Sequence, residues 1–274
     1  MSVLAWSPLR PLAAAALLAA ATGCAAAKPQ VITTPEQGPS ERTEAASEEG
    51  DELPKALRGL GLSRSQRGEI RRLRDELEPR LEPLRDGGRD YALALAKVAR
   101  QCDPEGKALE DAGSWVVVVG EDLRGPILDA VDRVHHILTP AQRKALSSRL
   151  LGRERERDPE AKDEEGIRSV AAELDLSLSQ IMSLLVRAQL LRDAAEERVE
   201  PWRIRYENAL RAFPEEDFSI REHPIAEVPA AALATRFVRD GVRLLLPILE
   251  PAQCAALADF IEAKVEEAAE PDRK

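Results

Sequence analysis

Apolar side chains recur every three or four positions along two long stretches of the chain, the spacing of one face of a helix. In the second half this stripe runs from Ile181 through Leu184, Leu185, Ala188, Leu191, Ala195, Val199, Trp202, Tyr206 and Leu210 to Phe213. At 1.5 Å per residue it predicts a helix of roughly 50 Å. In the first half Leu77, Leu81, Tyr91, Leu95 and Val98 align with Leu191, Ala195, Tyr206, Leu210 and Phe213. Pro79, Pro83 and Pro201 fall inside these stripes, where a missing N–H and a ring clash bend or break a helix. A further segment in each half carries Ile127, Val131, Val134 and Ile137, or Val238, Val242, Leu245 and Ile248. Trp115 to Val119 is β-prone, but the chain offers no second strand to satisfy its backbone, so it too reads as helix. The expected fold class is all-α.

The starts of these helices repeat as well. Leu60-Gly-Leu-Ser-Arg-Ser-Gln66 matches Leu174-Asp-Leu-Ser-Leu-Ser-Gln180, Gln66 and Gln180 standing 114 apart. Ile137-Leu-Thr-Pro-Ala-Gln142 matches Ile248-Leu-Glu-Pro-Ala-Gln253, Gln142 and Gln253 standing 111 apart. Two matches at nearly equal offsets indicate a tandem duplication. Ser63 with Gln66, Thr139 with Gln142 and Ser177 with Gln180 each form a capping box: the hydroxyl accepts the third helical N–H and the Gln reaches back to the cap. Pro140 and Pro251 take the first helical position, where the lost donor does no harm. Leu62, Leu138, Leu176 and Leu249 precede the caps and are expected to anchor each corner in the core. In the fourth start Glu250 replaces the hydroxyl while Gln253 remains.

Arg10 is followed by the apolar run Leu12 to Ala21 and then by Thr22-Gly23-Cys24. A run of about ten residues is too short to span a bilayer and reads as an export signal, residues 1–23. The small residues before Cys24 resemble a bacterial lipobox, with Ala21 where Leu is usual, which would make Cys24 a lipidated N-terminus. Ala25 after the cysteine resembles the sorting pattern of outer-membrane lipoproteins. The expected location is periplasmic and lipid-anchored. Residues 24–52, rich in Pro, Ser, Thr, Glu and Gly, read as a tether that buries nothing. Residues 53–151 form repeat 1 and 167–268 repeat 2, joined by the charged stretch 152–166, with Arg153-Glu-Arg-Glu-Arg157 and Lys162-Asp-Glu-Glu165.

The pairing of Leu-Ser-Arg-Ser-Gln66 with Leu-Thr-Pro-Ala-Gln142 resembles the LTxxQ family of bacterial periplasmic proteins. That family includes the Spy and CpxP stress chaperones and related zinc-resistance and heavy-metal-sensor proteins. The resemblance implies two tandem helical hairpin units, able to form a pseudo-dimer within one chain. It implies an ATP-independent chaperone or envelope-stress protein that binds unfolded or envelope proteins on helical surfaces. A second reading is a zinc or nickel sensor or resistance protein. A third is a regulatory lipoprotein docking on a membrane sensor kinase.

Composition narrows these readings. A formal charge of −10 and a pI near 5.1 argue against nucleic-acid binding. No nucleophile–base pair or phosphate-cradling glycine loop appears, so neither enzyme activity nor a cofactor is expected. His135 and His136 are adjacent on a predicted helix, so their side chains diverge by roughly 100°, and His223 stands apart; no metal site is expected. Arg64, Arg67, Arg71, Arg72 and Arg74 form a basic row in an acidic chain, able to attract acidic client segments or simply to solvate a helix. Leu77 and Leu81 are client-facing candidates that, like Trp202 and Tyr206, also fit a core. An exported compartment permits Cys102 and Cys254 to pair; alternatively they are two separate small apolar residues.

Overall fold

The computed structural model describes residues 56–155 and 171–269. The expected signal, the lipidation site Cys24, the tether and most of the charged linker lie outside these residues. Six helices dominate: α1 (Arg64–Arg100), α2 (Lys107–Ile137), α3 (Pro140–Arg155), α4 (Leu178–Ala212), α5 (Ala230–Leu245) and α6 (Pro251–Ala269). Among the described residues there is no strand, so the fold is all-α. Trp115 to Val119 lies within α2, and Pro79, Pro83 and Pro201 lie within unbroken helices. The apolar segment ending at Ile248 is not one helix: α5 stops at Leu245, and Leu246–Ile248 forms a 3₁₀ turn carrying Pro247, which has no N–H to give to an α-helical bond.

α1 ends in a Schellman turn. Asp103 N–H bonds to Val98 O at 3.2 Å and Cys102 N–H to Ala99 O at 2.9 Å, with Cys102 left-handed at φ 49°. The tight reversal lays α2 back along α1, so that Gly87 faces Trp115 and Gly113 faces Tyr91. The α4–α5 connection is longer and contains two 3₁₀ turns, Ile220–Glu222 and Pro224–Glu227.

The helices of the two halves interleave. α6 lies along α1, α5 crosses α2, and α3 packs on α4. α5 approaches α2 closely because Gly120 has no side chain: a Cβ there would sit 2.5 Å from that of Ala231. Tyr91 hydroxyl donates to Thr235 O at 2.9 Å across the same seam, and burial pushes its pKa up to about 12.

Two hydrophobic clusters result, and each draws on both halves. One joins Ile70, Leu73, Leu77 and Leu81 of α1, Val134 of α2 and Leu146 of α3 to Leu210, Phe213, Phe218 and Ile225. The other joins Leu184 of α4, Leu246, Leu249 and Leu257 to Ala96, Val98, Ala99 and Leu109 at the tip of the α1–α2 hairpin. The tip of each half's long hairpin is thus built into the other half's core.

Candidate functional site

The four helix starts meet in two pairs. Gln66 Nε2 donates to Gln142 Oε1 at 2.8 Å, and Gln142 Nε2 donates back to Gln66 Oε1 at 3.2 Å. Each Oε1 also accepts its own cap's N–H, from Ser63 and Thr139, both at 2.9 Å. Each Nε2 has a second carbonyl: Ile137 O at 2.7 Å for Gln66, and Leu60 O at 3.3 Å for Gln142. The second half repeats this clasp. Gln180 and Gln253 exchange bonds of 2.7 and 3.3 Å, their Oε1 atoms accept Ser177 N–H and Glu250 N–H, and Gln180 Nε2 also reaches Ile248 O. Glu250 thus forfeits the hydroxyl cap yet keeps the backbone bond that the clasp uses. Leu62, Leu138, Leu176 and Leu249 are buried beneath the clasps. These residues are structural corners that set the angle between the helices, and they leave little amide capacity for a ligand.

Cys102 and Cys254 are joined by a disulfide with a Cα–Cα distance of 5.7 Å. It ties the tip of α1 to the first turn of α6, beside an ion-pair cluster of Arg100 with Asp259 and Glu262.

The residues expected to face a client separate into two groups. Leu77 and Leu81 are buried in the first core and present no surface; Tyr206 is buried as well, and Trp202 is half-buried under the Arg205 guanidinium, 4.2 Å from its ring centre. Arg64 and Arg72 are exposed, whereas Arg67 donates to Leu62 O at 3.0 Å and Arg74 pairs with Asp75 at 3.1 Å. Arg71 is half-buried. Glu69 interrupts the row and Asp75 and Glu76 follow it directly, so it is part of a mixed-charge face and not a continuous basic surface.

The first three turns of α4 carry a surface that sequence periodicity did not single out. Leu178, Met182, Leu185, Val186 and Leu190 are exposed, Leu178 at 76%. Met182, Ser183, Val186 and Arg187 line a shallow depression on this face. Leu185 falls within the stripe read as core, but at an offset of 100° per residue it sits beside Leu184, and only Leu184 turns inward. At an offset of 114 residues, α1 and α4 agree on one face and differ on the other. Buried Leu184, Leu191 and Ala195 correspond to buried Ile70, Leu77 and Leu81. Exposed Leu178, Met182, Leu185, Val186 and Leu190 correspond to Arg64, Gly68, Arg71, Arg72 and Glu76. The two helices share the apolar character of the buried face, while the outer face is largely charged in α1 and apolar in α4.

His135 is buried against Phe213 and Phe218, and His136 bonds Asp132 O on its own helix at 2.6 Å. Among the described residues no group of three His, Cys, Asp or Glu side chains converges as a metal site would require, and no helix is long and apolar enough to cross a membrane. No family model, curated protein or solved structure matches the chain.

Proposed function

We propose that this chain is an exported, lipid-anchored binding protein of the ATP-independent chaperone kind, holding non-native apolar segments of envelope proteins on the outer face of α4. The observation that carries the reading is the contrast between repeats. A fold that tolerates Arg64, Arg71, Arg72 and Glu76 at these positions in α1 has no packing need for Leu178, Leu185, Val186 and Leu190 in α4. A contiguous apolar strip left in water favours association, and apolar clients gain by covering it. Met182 adds an unbranched, polarizable side chain suited to partners of varied shape. The interleaved halves support reading the chain as a pseudo-dimer in which one copy of the outer face has been given to solubility and the other to binding.

The test is suppression of aggregation of a chemically denatured client by residues 25–274, without nucleotide. The quadruple variant Leu178→Ser, Met182→Ser, Val186→Ser, Leu190→Ser should lose at least about tenfold in potency, since each buried apolar side chain contributes about 1.5–3 kcal/mol. Its helical circular dichroism and thermal midpoint should be retained. Full potency in that variant, or no suppression by the parent at several-fold molar excess, would count against the proposal.

A further inference from the structure

The two places where a hairpin tip enters the opposite core are built differently. At the repeat offset Arg143 corresponds to Cys254, each following the clasp glutamine of its half, and His135 corresponds to Leu246. Cys254 is bonded covalently to Cys102, just past the end of α1. Arg143 instead donates to the carbonyl of Glu215, just past the end of α4, at 2.9 Å. His135 Nε2 donates to the same carbonyl at 2.8 Å and lies against the Arg143 guanidinium. His135 is 2% exposed and Arg143 7%. One junction is a covalent staple; the other is a buried arginine and an imidazole gathered at one carbonyl oxygen.

We infer that the His135–Arg143–Glu215 junction is an acid-sensitive latch, which frees the Phe213–Val228 segment from the first core while the disulfide keeps the opposite junction closed. Glu215 O can only accept, so the neutral imidazole meets it with an Nε2–H and keeps its lone pair on Nδ1, the atom that a second proton would occupy. Protonation puts a second N–H on Nδ1, a buried atom with no acceptor beside it, and sets two cations side by side away from water at the one carbonyl. The charged groups around His135 do little to offset this. From α3 it meets Arg143, and from its own helix His136 and Asp132. The Asp132 carboxylate is already engaged by Ile220 N–H at 2.7 Å and Ser219 hydroxyl at 3.1 Å. The segment itself turns Phe213 and Phe218 towards the imidazole, with the His223 ring stacked behind Phe218 at 5.0 Å. His135 Nδ1 and Arg143 Nε have no hydrogen-bond partner, so the junction holds no reserve of bonds to absorb the added charge.

Burial is the main cause holding the His135 pKa below its ordinary value of 6.5; the bond to Glu215 O and, more weakly, Asp132 oppose it, while Arg143 and His136 add to it. The imidazole is therefore neutral in the closed state, and opening takes up a proton. The latch is fully engaged above pH 6.5 or so and weakens as the pH falls from there towards the depressed closed-state value.

Amide hydrogen exchange of residues 25–274, disulfide intact, tests this at pH 7.5 and 5.0 after correction for intrinsic rates. Peptides from 213–228 should lose protection by about tenfold or more at pH 5.0, the factor set by leaving one buried donor unsatisfied. Peptides from 96–109 and 250–258 should not change. His135→Leu, which copies Leu246, should abolish the step, as should His135→Gln if the leucine variant does not fold. His136→Gln and His223→Gln should keep it. A step that survives replacement of His135, is absent from the parent, or spreads equally over all peptides overturns the inference.

Discussion

A clasp glutamine performs two tasks that a glutamate cannot combine. As third residue of a capping box it accepts the cap's N–H through Oε1, which a carboxylate does equally well. Its Nε2 also donates to the partner glutamine and to a carbonyl across the corner. Gln66→Glu should therefore keep the cap yet turn an acceptor towards Ile137 O and Gln142 Oε1, and lose about 1–3 kcal/mol in urea unfolding at pH 7. Protonation would restore a donor to that carboxyl, so the deficit should shrink at pH 4. No deficit at pH 7 would show that the clasp donors contribute nothing, and an equal deficit at both values would trace the loss to something other than the missing donor. At Cys102 the left-handed φ of 49° separates two effects of substitution. Loss of the disulfide should cost about 2–4 kcal/mol in either variant. Cys102→Gly should recover about 1 kcal/mol relative to Cys102→Ala, because glycine alone adopts that backbone without a Cβ clash. The comparison requires only denaturation midpoints of the two variants.

At the scale of elements, the seam between α2 and α5 depends on an absent side chain. A Cβ at Gly120 would fall 2.5 Å from that of Ala231, so Gly120→Val must push the helices apart along a seam that also carries Tyr91, Gly113 and Thr235. A loss of about 1–3 kcal/mol is expected, with a lowered thermal midpoint and blue-shifted tyrosine absorbance as the Tyr91 ring leaves the protein interior for water. Sequence could not reveal this seam, since a glycine in a helix carries no sign of what passes over it. The helices themselves were legible because periodicity and caps are local: Ser63 and Gln66 state their helix start without reference to the rest of the chain. The exposed face of α4 was not. Leu-Leu-Val and Leu-Leu pairs make its first turns apolar nearly all round, and burial then depends on which side α5 and α6 approach. The clasps were half legible. Each box is local, but the meeting of Gln66 with Gln142 spans 76 residues.

For the whole molecule, the decisive property is that neither core can close from one half alone. Ser147 of α3 donates to Leu210 O at 2.6 Å, and Phe213 and Phe218 complete the core that Leu73 and Leu77 begin. Ala96, Val98 and Ala99 complete the other beside Leu249 and Leu257. A half expressed by itself would leave these faces in water and lose the non-local part of its burial, the part that must outweigh chain entropy. The intact chain should therefore unfold in urea as one transition, with circular dichroism and Trp115 and Trp202 fluorescence coinciding. Residues 25–155 and 156–274 produced separately should each lack a cooperative transition, and should regain helicity and a shared transition when mixed under oxidising conditions. Two resolved transitions in the intact chain, or a cooperative fold in either half, would mean that the repeats are independent domains in contact. One shared transition would mean that the two halves form a single cooperative body, in which the outer faces of α1 and α4 differ without cost to the shared core.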